Sequence, residues 1–335
     1  MKLLSLFLLS AAVWAAPCAT VASCTEWITF GGGPARSMIY RTYPLDVANP
    51  QIKRALIVIH GAGRDADNYF RTALAAAFLG DALDDTLVIA PRLASAAGSC
   101  HDTIAPNEVS WSCTGDSWRS GGTATNQEKL TSFDFTDEIL RKLAKKDVFP
   151  NLKAIVVSGH SAGGQYVDRY AMANTVHDNL HDNLGVRVTY VVSNPSSYAY
   201  LDNMRPVPDR PDFRSFSDGR NCTTYNQWPY GLEHRSGGYT ARETDDQLRR
   251  QLAARPVTYL LGEIDILPLG GFDNSCPAMA QGATRLARGQ AFGRYVNQKF
   301  GAKHAITVVP LCGHNARCMF TAESALPILF PKDGQ

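Results

Sequence analysis

Gly159-His160-Ser161-Ala162-Gly163 sets a hydroxyl between two glycines. Downstream come the turn Gly262-Glu263-Ile264-Asp265 and the pair Gly313-His314. A serine hydroxyl is a weak nucleophile until a base takes its proton, and the base needs an acid to hold its tautomer. Ser161, Asp265 and His314 supply nucleophile, acid and base in that chain order, and the chemistry they serve is acyl transfer. Glu263 and Asp202 are rivals for the acid. The chain has eight histidines, so position rather than type singles out His314. His177, His181 and His234 lie in polar segments and read as surface residues, whereas His160 reads as shaping the turn around Ser161. An acyl-transfer intermediate also needs backbone donors for its oxyanion. Ala162 N–H, one residue past the serine, is one candidate. Ala62 N–H in His60-Gly61-Ala62-Gly63-Arg64 is the other, with Gly61 as its alternative.

These residues need a scaffold that brings them to one edge, and the flanking patterns supply one. Ala55–Ile59 (ALIVI), Thr86–Ala90, Ala154–Ser158 (AIVVS), Val186–Ser193, Val257–Leu261 and Ala305–Val309 are apolar, β-branched runs that read as buried strands. Helical spacing is predicted over Asn68–Leu79, Ser132–Lys145, Ala162–Thr175, Thr244–Ala254 and Ala278–Phe300. Strands alternating with helices imply an α/β fold, a parallel sheet covered on both faces. Ser161 then falls between a strand and a helix, the context of a strained turn that lifts a nucleophile clear of the sheet. Two stretches break the rhythm. Gly98–Asn126 reads as a long ordered loop. Asn194–Ala241, with five prolines and eight aromatics, reads as a cap-like insertion over the site, Tyr198 and Trp228 among its candidate contacts.

Taken together, His60-Gly61-Ala62-Gly63, Gly159-His160-Ser161-Ala162-Gly163-Gly164-Gln165, Gly262-x-x-Asp265 and Gly313-His314 resemble the α/β-hydrolase superfamily, closest to secreted serine esterases and lipases. The resemblance implies a mostly parallel eight-stranded sheet with helices on both faces. It also implies a Ser–Asp–His triad, no metal and no cofactor, and hydrolysis of a carboxylic ester that is small or polymeric. The same triad serves secreted peptidases, and a binding protein on this fold is the reading from a different class.

The remaining features bound the setting. The chain has 335 residues, 45 % of them hydrophobic and 19 % charged, with a formal net charge of +2. This suits one folded domain over 16–335, expected as a monomer, with no dense basic block to call for nucleic acid. Met1-Lys2, an apolar run and Val13-Trp14-Ala15-Ala16-Pro17 follow the order of a secretory signal over 1–15. That run falls short of the roughly 20 residues a membrane span needs, so a secreted protein with no membrane span is expected. Eight cysteines in an exported chain suggest disulfides. Proximity pairs Cys18–Cys24, Cys100–Cys113 and Cys312–Cys318, leaving Cys222–Cys276. A zinc site competes for them, but no CxxC pair or HExxH spacing supports it.

Overall fold

The uncharged apolar runs form the centre of one sheet. In this computed structural model, residues 16–332 are described except Asp116, Asp209, Gly219 and Ser236; the signal expected over 1–15 lies outside them. Arg54–Ile59 (β3), Thr86–Pro91 (β4), Ala154–His160 (β5) and Arg187–Ser193 (β6) are buried along almost their whole length, as strands covered on both faces must be. Thr25–Thr29 (β1) and Arg36–Arg41 (β2) close one edge, and Val257–Gly262 (β9) and Ala305–Val309 (β10) the other. The order is β1-β2-β4-β3-β5-β6-β9-β10. From β4 to β10 every neighbouring pair is parallel, whereas β2 runs antiparallel to both β1 and β4. A separate two-stranded ribbon joins Met204–Pro206 (β7) to Phe213–Ser215 (β8).

Alternation along β3 assigns the two cores. Ala55, Ile57 and Ile59 face one cluster, and Leu56 and Val58 the other. The first cluster takes Phe133 of Ser132–Leu143 (α2), Tyr166 of Ala162–Ala173 (α3), Leu248 of Asp245–Ala254 (α4) and Phe292 of Arg285–Phe300 (α6). The second takes Phe70 of Ala66–Leu79 (α1), Phe320 of Ala316–Thr321 (α7) and Leu329 of Leu326–Leu329 (α8). The order reverses at β3 and β5, and in such sheets the crevice beyond the carboxyl ends of the strands at that point is where ligands bind. The parallel register places Ile59 opposite Gly159, His160 opposite Ser193 and Val309 opposite Gly262, so the loops that follow all leave the same edge.

Several expectations change. The helix expected over Ala278–Phe300 is two, Cys276–Met279 (α5) and α6, because the chain turns at Gly282 (φ 142°) and restarts on the Thr284 cap. The stretch 194–241 does not go where a cap would. Tyr198 and Tyr200 are fully buried, their rings 4.7 Å from Phe292 and 4.6 Å from Tyr295, so the start of the segment packs against α6 as core. His177 is not at the surface either. It is buried, its Nδ1 3.0 Å from the Tyr190 hydroxyl, while His181 and His234 are exposed. The four cysteine pairs are Cys18–Cys24, Cys100–Cys113, Cys222–Cys276 and Cys312–Cys318, as proximity suggested.

Candidate active site

Ser161 sits between the last residue of β5 and the first of α3, with φ 59° and ψ −119°. A serine in this region is strained and is held there by its surroundings. Two close approaches explain the flanking glycines: a Cβ at Gly159 would lie 2.3 Å from the Gly163 carbonyl oxygen, and one at Gly163 would lie 2.2 Å from that of Ile59. The Ser161 N–H donates to the Ser193 carbonyl at 2.9 Å, anchoring the turn to the end of β6.

The structure brings Ser161, His314 and Asp265 into one chain of hydrogen bonds. His314 Nε2 is 2.9 Å from Ser161 Oγ, and its Nδ1 is 2.8 Å from Asp265 Oδ2. Asp265 is buried, and a carboxylate facing Nδ1 favours the tautomer with its proton there, leaving Nε2 free to accept. Neither rival acid is bonded to His314. Glu263 is exposed and accepts from Leu311 N–H at 2.8 Å, whereas Asp202 takes the Tyr295 hydroxyl at 2.7 Å and Met204 N–H at 2.8 Å.

Two residues that the sequence reading missed hold this chain in place. Arg285, wholly buried, reaches Ser196 Oγ at 2.8 Å, the Gly270 carbonyl at 3.0 Å and Asp265 Oδ1 at 3.4 Å. Asn194, with φ 44°, accepts from Gly262 N–H at 2.8 Å and donates to the Gly313 carbonyl at 3.2 Å, tying the exit of β9 to the turn that carries His314.

The loop after β3 forms the opposite wall. His60 is buried and neutral, its pKa pushed down to about 4 by loss of solvent. Its Nε2 accepts from Leu93 N–H at 3.3 Å, so Nδ1 carries the proton and donates to the Gly61 carbonyl at 2.8 Å. That pins the path of the loop, and Arg64 secures its far side through the Leu93 and Ser112 carbonyls. A Cβ at Gly61 would lie 2.8 Å from the Tyr69 hydroxyl, so a side chain there would have to displace Tyr69, and 3.7 Å from Ser161 Cβ, which places the loop against the serine. Ala62 is exposed at the groove. Ala162 N–H lies in the first turn of α3, whose donors have no acceptor within the helix. His160 is buried with its ring 4.7 Å from that of His314, and burial holds its pKa well below the usual histidine value, so it packs as a neutral ring.

These elements enclose an open groove of about 490 Å³ around Ser161, and no described residue of 194–241 lines it. A larger concavity of about 730 Å³, between 206–211 and α6, holds none of the candidate residues. Among the described residues no group of three His, Cys, Asp or Glu is placed to hold a metal, and no helix is long and apolar enough to cross a membrane.

A parallel sheet with a strained serine turn at its switch point defines a hydrolase of the α/β type, and residues 56–325 match the model of the alpha/beta hydrolase family, to which the chain belongs. Two solved structures are similar in fold. Poly(aspartic acid) hydrolase-1 from Sphingomonas sp. KT-1 is 23 % identical with a TM-score of 0.60, over 88 % of this chain and 94 % of that one. LpqC, a poly(3-hydroxybutyrate) depolymerase from Bordetella parapertussis, is 20 % identical with a TM-score of 0.57, over 88 % and 84 %. No curated protein matches the chain.

Proposed function

We propose that the protein is an exported serine esterase, acting as a single-domain monomer, that hydrolyses carboxylic esters through an acyl-enzyme on Ser161. The observation that carries this reading is the unbroken chain from Ser161 Oγ through His314 to buried Asp265. His314 takes the serine proton as Oγ attacks the carbonyl, then gives it to the leaving alcohol. It next deprotonates the water that releases the acid. The Ala62 and Ala162 amides hold the oxyanion in both halves. Export rests on the leader over Met1–Ala15 and fits four disulfides, which persist in oxidising compartments.

A fluorophosphonate probe should label the purified protein at Ser161 and leave Ser161→Ala unlabelled. The wild type should turn over p-nitrophenyl acetate far faster than aminoacyl anilides. Ser161→Ala should fold normally and lose about 10⁴-fold or more in kcat. Faster cleavage of the anilide would make it a peptidase, and labelling of Ser161→Ala would remove Ser161 from the mechanism.

A further inference from the structure

Ten large apolar side chains stand exposed among the described residues, and five of them are Ile264, Ile266, Leu267, Leu269 and Leu311, 50 to 80 % exposed. All five lie on the two loops that carry Asp265 and His314. Scattered exposed leucines need no explanation, but a contiguous apolar patch marks a binding surface. Hydrogen bonds set the two loops side by side. Ile264 N–H donates to the Cys312 carbonyl at 3.1 Å, and Leu311 N–H to Glu263 at 2.8 Å. Ile264 also packs at Gly313, its Cγ1 3.6 Å from where a Cβ would stand. Leu311 has φ 56°, a conformation that leucine rarely adopts.

The patch is held firmly. Gly270 and Gly271, which end it, give their carbonyls to Arg285 and Ser196. It also runs into the catalytic groove, since a Cβ at Gly270 would lie 3.0 Å from His314 Cδ2. From Ile264 to Phe272 the one ionisable side chain is Asp265, which turns inward. The groove's lining also includes polar Asp65, Asn68 and Arg317. The five exposed side chains are all aliphatic, and a largely aliphatic surface at one end of the groove fits saturated hydrocarbon better than an aryl or sugar group, which would stack on aromatic faces.

We propose that this shelf binds the aliphatic acyl chain of the ester whose carbonyl is held at Ser161, making the preferred substrates medium- and long-chain aliphatic esters. The inference rests on the esterase reading above. The chain leaves the carbonyl past His314 and Gly270 and lies across Leu267 and Leu269.

The test is kcat/KM for p-nitrophenyl esters of two to twelve acyl carbons, below their critical micelle concentrations. The wild type is compared with Leu267→Ser/Leu269→Ser and with Leu311→Ser, none of which touches the triad. In the wild type kcat/KM should rise with chain length. A methylene or two in an apolar site is typically worth about 10- to 200-fold. The double variant should therefore lose roughly 10- to 100-fold on the ten-carbon ester and less than about 2-fold on the acetate. Equal losses on both esters, or a wild type indifferent to chain length, would overturn the shelf and leave the esterase standing. No turnover of any ester would overturn the esterase instead. Sedimentation of wild type and variants provides a separate check. A wild-type dimer that the double variant splits, with chain-length preference unchanged, would make the patch an interface between two copies and refute acyl binding.

Discussion

Replacing Arg285 with Met separates the residue that positions the proposed acid from the residues proposed to react. Methionine keeps an apolar stem but deletes the donors to Ser196, Gly270 and Asp265. Breaking a buried ion pair typically costs about 3–5 kcal/mol. The contact to Asp265 is 3.4 Å, longer than the roughly 2.7–2.9 Å of a strong charge-assisted bond, and Asp265 keeps His314 as a partner, so the low end applies to that pair. Two more acceptors are stripped at about 1 kcal/mol each, and water from the groove can reach them in part. The expected loss is about 4 kcal/mol, or about 6 °C in melting temperature for a chain of this size. Catalysis should suffer separately. Gly270 abuts the His314 ring, and a displacement of about 1 Å can cost about 10²-fold in rate. Calorimetry gives the first quantity. The second comes from kcat and KM for p-nitrophenyl acetate, measured far below both melting temperatures, where kcat should fall with KM little changed. Arg285→Lys should recover part of the stability and less of the rate, because one ammonium cannot reach three acceptors at once. A methionine variant that melts within 2 °C or so of wild type and keeps most of its kcat would refute this account of Arg285.

Asp265→Asn should lower kcat by about 10⁴-fold through the wrong imidazole tautomer, whereas Glu263→Gln and Asp202→Asn should stay within a few-fold; a reversed ranking in steady-state assays moves the acid. Asp168, buried in α3, has its pKa pushed up to about 7 by desolvation. Its proton therefore stabilises the fold, and that stability is lost as pH rises from about 4 to 7, where the unfolded chain ionises first. Asp168→Asn should gain on wild type by up to about 4 kcal/mol between pH 4 and pH 8 in urea melts; a pH-independent difference would contradict the burial argument. Cys312→Ser with Cys318→Ser opens a small ring worth about 2 kcal/mol. It should cut turnover about 10-fold or more, since His314 lies inside the ring; unchanged kcat in the cold would make the bridge purely structural.

The central strands were legible because each is an uninterrupted apolar run, and their observed ends fall within two residues of the expected ones. Thr25–Thr29, at the edge, and Arg36–Arg41 beside it were not, since they mix Glu26, Arg36 and Arg41 among their apolar residues. The candidate nucleophile, acid and base were readable for a different reason: each sits within five residues of a strand end, where local spacing carries the information. Arg285 and Asn194 had no such signal. Arg285 belongs to a helix with four basic side chains before its last residue, a pattern that reads as solvated, and only the packing of α6 against β9 turns it inward. Asn194 acts on residues 68 and 119 positions away. The aromatics of 194–241 suggested a lid for the same lack of long-range information.

The end of β6 has a consequence for how Ser161 stays in line with His314. Ser193 receives the amide of Ser161, and Asn194, the next residue, grips both the exit of β9 and the turn holding His314. The proposed nucleophile belongs to one mechanical part, β5 with α3. The proposed acid and base belong to another, the cross-linked loops after β9 and β10. One dipeptide gauges the gap between the two parts. Damage there would disable the molecule with every reacting group intact, in the way a misaligned lock defeats an undamaged key.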